Sequence, residues 1–203
     1  MLLSIKRAGI LAAALLAGCS STTFESAWKA PDAGPLAYSG RKVAAIFVSS
    51  NESTRRVAED TLAREITKRG AQGVAAYTLL SPDDLKDKQK ARDKLLKAGC
   101  AGAVMMRVTG KEQQIRATPA TWSGPGYASF SGYSDWGWDE VYEPGYLSTD
   151  TIVSIETLVY SLDKDKLVWA GTSETFNPSQ TEAFVEDLAD SAAEQLKKDG
   201  LIQ

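Results

Sequence analysis

The strongest constraint on the fold is an alternation of apolar runs and helical patterns that begins near residue 41. Residues 42–48 (KVAAIFV) form a continuous apolar run that ends in polar residues, as expected of a buried strand that leads into a helix. Residues 52–69 place their apolar side chains on one stripe and stop at Gly70, which predicts a helix. The same pattern then predicts a strand, a helix and a strand over residues 74–80, 81–98 and 103–109.

The second half of the chain predicts a hairpin and a closing helix. Residues 151–162 and 167–176 are rich in β-branched side chains, and a turn lies between them. A helix is expected after Pro178, and it should end near Lys198, before Gly200. The order β-α-β-α-β, long loop, β-β-α predicts one α/β (α+β) domain over residues 41–203, with helices packed on a mixed sheet.

Composition excludes several classes of function. The chain has 203 residues, 43% of them hydrophobic and 24% charged, which is ordinary for a globular domain. A net charge of −3 argues against a nucleic-acid partner, because binding phosphates requires an excess of cations. The chain contains no histidine, which removes Ser-His-Asp and Cys-His catalysis and most zinc and haem sites. We therefore expect no cofactor, no metal and a protein that is not an enzyme.

The N-terminus has the pattern of a secretion signal. Lys6 and Arg7 precede an apolar run over residues 8–16, which is shorter than the ~20 residues that a membrane-spanning helix needs. The run ends in Leu-Ala-Gly-Cys19 and here resembles bacterial lipoprotein precursors, which are cut before this cysteine and lipidated on it. The resemblance implies a signal peptide over residues 1–18 and lipid attachment at Cys19. The alternative is an ordinary cleaved signal with a chance cysteine.

The same resemblance implies a location. Ser20 follows the cysteine, where an aspartate would favour the inner membrane, so we expect an outer-membrane anchor with the domain facing the periplasm. Loss of residues 1–18 would remove two cations and no acid, and the net charge would fall from −3 to −5. Overall charge would not draw such a body to anionic lipid, so the lipid would have to hold it. Residues 19–40 are then expected to be the lipidated N-terminus and a tether.

An aromatic, glycine-rich loop is expected at about residues 117–149. Loops of this length are uncommon in a compact domain and are often functional. The aromatic side chains could bind an envelope protein or the glycan of peptidoglycan, or they could fold back and cover the sheet as part of the core. The candidate binding residues are Trp122, Tyr127, Phe130, Tyr133, Trp136, Trp138, Tyr142 and Tyr146.

Three smaller features were candidates for chemistry. Glu156 and Glu174 lie on the two hairpin strands, but a two-residue turn would place them on opposite faces of the sheet, unable to act together. The acids from Asp135 to Glu143 match no calcium-loop spacing and are expected to be solvated. Cys100 has no second cysteine nearby and is expected to be buried.

Several short motifs are similar to those of a group of uncharacterised proteobacterial lipoproteins. They are a Trp-Lys-Ala-Pro start at Trp28, the pair Arg55-Arg56, an aromatic-Gly loop, a Leu-Val-Trp-Ala-Gly-Thr-Ser-Glu-Thr strand at Leu167 and a Lys-Asp-Gly-Leu-Ile end at Lys198. The element order is also similar to the N-terminal domain of TolB and to lipoprotein activators of peptidoglycan synthases. These likenesses imply a fold and a location and name no reaction.

Together these features predict a lipid-anchored envelope lipoprotein that acts as a non-enzymatic binding module through its aromatic loop. A structural envelope lipoprotein without a dedicated ligand is the alternative, and a hydrolase is a remote third. The expected partners are the membrane, through the N-terminal lipid, and an envelope protein or glycan.

Overall fold

The computed structural model describes residues 22–81, 83–84, 87–118, 121–123, 141–143 and 146–202. It confirms the expected class, a mixed α/β fold with three helices packed on a six-stranded sheet. The elements are β1 (Thr22–Lys29), β2 (Lys42–Val48), α1 (Glu52–Lys68), β3 (Gln72–Ala75), a 3-10 helix (Ala76–Thr78), α2 (Lys88–Lys97), β4 (Cys100–Thr118), β5 (Thr121–Ser123), β6 (Val141–Glu143), β7 (Tyr146–Ser161), β8 (Lys166–Phe176) and α3 (Thr181–Lys198).

The strand order in the large sheet is β1-β8-β7-β4-β2-β3. β2 pairs in parallel with β3 and with β4, because a helical connection returns the chain to the same end each time. β4, β7, β8 and β1 pair antiparallel. β5 and β6 form a separate antiparallel pair.

The two faces of the sheet are covered differently. On one face Val153, Ile155 and other alternate residues pack with apolar side chains of α1 and α3, and we call this the helix-covered face. On the opposite face α2 covers only the part beside β2 and β4, through contacts that include Ile46 and Leu95. The remainder of that face, along β7, β8 and β1, is called the open face. It carries Trp28, whose side chain is 48% exposed.

The segment expected to be a tether contributes an edge strand. From Thr22 the chain pairs with β8 as β1, and Phe24 packs against Trp169 with ring centroids 5.7 Å apart. The residues that follow are also held, since Ala30 is buried and the Leu36 N–H donates to the Leu201 carbonyl at 2.7 Å. The part of residues 19–40 from Thr22 onward therefore belongs to the domain rather than to a flexible link.

The second helix begins at Lys88, later than the start at residue 81 that the sequence predicted. The N-cap is Asp87, whose side chain accepts from the Lys90 N–H at 3.1 Å. Ser81 closes a separate turn instead, and its N–H and hydroxyl donate to Asp84 at 2.9 and 2.7 Å. Asp84 is buried, and it pairs with Lys94 of α2 at 2.6 Å. The buried carboxylate thus fixes the turn and the helix to each other.

Candidate functional site

Two strands continue beyond the rest of the sheet. β4 and β7 stay paired from Gly102 with Ser161 to Thr118 with Tyr146. β2 ends earlier, opposite Arg107 of β4, and the last pair of β8 is opposite Ile152 of β7. In the described part of the chain no further strand flanks residues 113–118 and 146–151, which we call the arm.

The strands of the arm enter the segment that was expected to be a loop at residues 117–149. β4 runs to Thr118 and β7 begins at Tyr146, so both ends of that segment are extended. Three residues beyond Thr118, Thr121 of β5 pairs with Glu143 of β6, which keeps the register of the arm. At the residues of these strands the expectation of an irregular loop was wrong. Their composition is typical of a loop, but the backbone is held in strands by cross-strand pairing.

The aromatic candidates divide between these strands and the rest of the segment. Trp122 and Tyr142 are directly opposite each other in β5 and β6, and Tyr146 is the first residue of β7. Outside the described residues lie Tyr127, Phe130, Tyr133, Trp136 and Trp138, as does Cys19. The structure therefore places the arm at the base of the aromatic segment.

Asn177 closes the base of the arm. It has a left-handed backbone conformation, with φ at 47°, and its N–H donates to the Thr151 carbonyl at 2.7 Å. Its side-chain oxygen accepts from the Thr151 N–H at 2.8 Å, and its side-chain nitrogen donates to Asp150 at 3.0 Å. Asn177 thus completes both backbone bonds of Thr151, immediately after β8 makes its last pair.

The described β4 side chains at the base of the arm face solvent, whereas those of β7 are mostly half-buried. Residues 111–115 are exposed, and Ile115 is 74% exposed. A two-stranded ribbon is only marginally stable alone in water, and its free edges can pair with another chain.

The hairpin of β7 and β8 has a different register from the expected one. A four-residue turn over residues 162–165 and a register shift at Tyr160 replace the two-residue turn, so Glu156 pairs with Thr172. Glu174 follows two residues later, so Glu156 and Glu174 share the open face. The expectation that they lie on opposite faces was wrong. Glu156 is engaged by Arg107, whose Nε donates to its carboxylate at 2.7 Å.

The N-terminal strand begins at the same end of the sheet as the arm. Thr22 pairs with Thr175 of β8, and Thr175 pairs with Val153 of β7. Val153 is two residues from Thr151, where the arm begins. The chain thus enters the fold beside the base of the arm, three residues after Cys19.

Other expected features are settled by burial. Cys100 is buried with a free thiol, as expected, and burial raises the pKa of that thiol. The acids at Asp135 and Asp139 lie outside the described residues. Within the described ranges no group of three or more potential metal ligands comes together, and no helix is both long and apolar enough to cross a bilayer.

Comparison with known proteins gives likenesses in structure alone. No family model and no curated protein matches the chain. The PelC dodecamer from Paraburkholderia phytofirmans is similar at 13% identity and a TM-score of 0.46, over 90% of this chain and 100% of that chain. A single-residue variant of PelC is similar at 12% identity and a TM-score of 0.46, over 86% and 96%.

A third similar structure is a lipoprotein, GNA1162 from Neisseria meningitidis. The identity is 11% and the TM-score 0.40, over 77% of this chain and 97% of that chain. Likenesses at this level do not carry function from one protein to another. Function is therefore argued below from the residues of this chain.

Proposed function

We propose that the protein is a lipid-anchored lipoprotein of the outer membrane that faces the periplasm and binds a partner protein through the arm and its aromatic segment. The role is binding and not catalysis. The observation that carries the proposal is the arm, a paired ribbon with exposed side chains on β4 that leads into aromatic residues and has no further strand on its edges among the described residues.

The anchor limits where the partner can be. Cys19, the proposed lipid attachment, precedes the first residue of β1 by three residues, which span about 10 Å when fully extended. Since β1 starts beside the base of the arm, the arm would lie close to the membrane surface. A partner at that surface fits this geometry.

The exposure of the arm favours binding over core cover. If the segment served to cover the sheet, the side chains at its base would be buried against a sheet face. Ile115 and its neighbours in β4 are instead exposed. Edge pairing and aromatic contact are both established modes of protein recognition.

Crosslinking in intact cells tests the binding role. A photoactivatable residue at Trp122 should give a discrete crosslinked product, which the double substitution Trp136→Ala and Trp138→Ala should abolish. On the binding proposal the melting temperature of this variant should change by less than about 2 °C, because side chains that contact a partner rather than the core contribute little to folding. Trp28→Ala is the matched control, since it removes an exposed tryptophan from the open face and should leave the product intact. A large loss of thermal stability in the double variant would favour core cover instead.

Fatty-acid labelling tests the anchor separately. Cells fed an alkyne fatty acid should label the wild-type chain, and Cys19→Ser should lose the label. Cys100→Ser is the control, because its buried thiol should not contribute. Equal labelling of Cys19→Ser and wild type would disprove the anchor and leave the test of the arm unaffected.

One observation also bears on the hydrolase alternative. Glu156 and Glu174 share the open face as diagonal neighbours, an arrangement that a pair of catalytic carboxylates could use. Arg107 holds one of them in an ion pair. Release of sugar fragments from peptidoglycan by the wild-type protein, lost in Glu156→Gln, would favour this alternative over a binding role.

A further inference from the structure

The two edges of the arm differ in what lies beside them. On the β7 edge, the Asn177 side chain accepts from the Thr151 N–H at 2.8 Å, and the Asn177 N–H donates to the Thr151 carbonyl at 2.7 Å. On the β4 edge, β2 makes its last pair opposite Arg107. From Lys111 onward the described residues place no strand beside this edge and give it no backbone hydrogen bond. The β7 edge is therefore closed at its base, and the β4 edge is not.

The position of Asn177 also determines which backbone groups point to the β4 edge. The N–H and carbonyl of Thr151 both point toward Asn177 and away from β4. In an antiparallel pair, a residue whose two groups point away from its partner strand is opposite a residue that does the same. Thr151 is opposite Gln113, so the N–H and carbonyl of Gln113 point to the β4 edge. Those of Lys111 and Ile115, two residues to either side, do so as well.

Exposed apolar side chains accompany these backbone groups. Alternate residues of a strand share a face, so Lys111, Gln113 and Ile115 continue the helix-covered face, and Val108 joins them across a bulge. Val108 is 47% exposed and Ile115 is 74% exposed. The β4 edge thus presents two aliphatic side chains, with a lysine between them, beside three residues whose backbone groups point outward.

The charge of this face favours a partner other than a second copy. The residues around the β4 edge whose side chains are described on this face are Val108, Lys111, Gln113, Ile115, Thr149, Thr151 and Val153. They include one cation and no acid, because Glu112 and Asp150 lie on the opposite face. An antiparallel second copy would bring the same face, again without an acid. A different chain can place a carboxylate beside Lys111, and opposite charges across strands stabilise the pairing.

We propose that the β4 edge receives an added strand from a partner protein, an extended segment with apolar side chains toward Val108 and Ile115 and an acid beside Lys111. The inference rests on the proposed function and gives the mode by which the arm binds. Backbone hydrogen bonds supply the affinity of such a contact, and the side chains beside them supply its specificity. A third strand would also stabilise the ribbon, because two strands alone are marginal in water.

Proline and alanine at position 113 separate the role of the backbone from that of the side chain. Gln113→Pro removes an N–H that points to the β4 edge and makes no bond to β7, and proline is tolerated at such a position of an edge strand. Its melting temperature should stay within about 3 °C of wild type. With the photoactivatable residue at Trp122, Gln113→Pro should reduce the crosslinked product about tenfold or more. Gln113→Ala keeps the N–H and should leave the product unchanged.

The acid of the partner is tested at Lys111. Lys111→Glu should reduce the crosslinked product about tenfold, because two carboxylates would then be neighbours across the strands. Lys111→Arg keeps the charge and is the matched control, with a yield equal to that of wild type. Equal product from Lys111→Glu and wild type would overturn the acidic partner.

Four other results would also count against the inference. Equal product from Gln113→Pro and wild type, or equal loss in Gln113→Pro and Gln113→Ala, would overturn the added strand and leave the binding role of the arm intact. A large loss of thermal stability in Gln113→Pro would show that its N–H is bonded to β7, and would overturn the assignment of the β4 edge. A product of twice the mass of the mature chain would identify a second copy and overturn the choice of a different protein. Absence of any product in wild-type cells would contradict the proposed function, and with it this inference.

Discussion

The unpaired hydroxyl of Thr157 leads to a prediction of opposite sign for two apparently similar substitutions. Thr157 and Thr175 are both threonines of the sheet interior, on the same face, and both are almost fully buried. Thr157→Val should stabilise the protein, because it removes a hydroxyl that has no hydrogen-bond partner among the described residues. Thr175→Val should destabilise it, because the hydroxyl of Thr22 then loses its partner at 2.8 Å.

The magnitudes follow from the cost of an unmade bond. An unpaired buried polar group costs about 1–3 kcal/mol, and valine matches threonine in shape and in preference for strands. Allowing for partial relaxation, Thr157→Val should add about 1–2 kcal/mol to the free energy of unfolding. In a domain of this size that raises Tm by about 2–8 °C. Thr175→Val should lower the free energy of unfolding by about 0.5–1.5 kcal/mol.

Urea denaturation of each variant, followed by tryptophan fluorescence, measures both effects. The midpoints should move in opposite directions while the slope of the free energy against urea stays constant, since neither change alters the surface exposed on unfolding. A lower midpoint for Thr157→Val would refute the reasoning, because it would mean that the Thr157 hydroxyl makes a hydrogen bond in the native protein. A shift of both midpoints in the same direction would refute it as well.

Three further predictions concern the packing and the ionisation of the fold. Gly73→Ala should lower the free energy of unfolding, measured by urea denaturation, by at least about 3 kcal/mol. The added Cβ would lie 2.0 Å from the backbone oxygen of Ala63, and the helix backbone cannot easily move away. A near-neutral result would contradict this packing. Asp84 has a pKa held well below its ordinary value, chiefly by the hydrogen bond from Lys94, so its stabilising effect is fully present above pH 3.8 and lost as the pH falls further. The stability difference between wild type and Asp84→Asn should thus be constant from pH 5 to 7 and shrink toward pH 2, and a constant difference throughout would contradict the pairing. Cys100 should resist a thiol reagent in the native protein and react on unfolding, since its thiol is buried with a raised pKa; fast native labelling would contradict its burial.

Strand β2 and helix α1 could be predicted closely from the sequence. Helix α1 was expected over residues 52–69 and spans Glu52–Lys68, because local signals determine both of its ends. The side chain of Asn51 accepts from the Thr54 N–H at 2.9 Å, and Gly70 adopts a left-handed conformation after the last turn. The buried strands could be recognised for a similar reason, since parallel strands covered on both faces are continuously apolar.

The hairpin of β7 and β8 was predicted correctly, but its register and the pairing of the edge strand were not, because they depend on contacts between distant parts of the chain. β1 is a mostly polar segment at an edge, and only its pairing with β8 shows that it is a strand. The four-residue turn, which the left-handed backbone of Asp165 allows, shifts the expected register of β7 and β8 by two residues, and a bulge beside Tyr160 shifts it back by one. A shift of one residue moved Glu156 and Glu174 onto the same face.

The candidate site is revealed only in part by the sequence. The aromatic segment stands out by composition alone, but its base in a continuous two-stranded arm depends on the pairing of β4 with β7.

Strand β7 has two regions that should differ in the protection of their amides from exchange. The boundary between them lies at Thr151, to which Asn177 is hydrogen-bonded. From Ile152 to Ser161, β7 is paired on both sides, whereas residues 146–151 are paired only with β4. Amide hydrogen exchange should therefore be slow through the first region, since its opening requires disruption of the sheet. It should become fast within one or two residues past Thr151, whose own amide is held by the Asn177 side chain. An unbroken strand would then carry both a globally protected core and a locally opening extension, so that the arm could adapt to the partner proposed above while the sheet behind it stays closed.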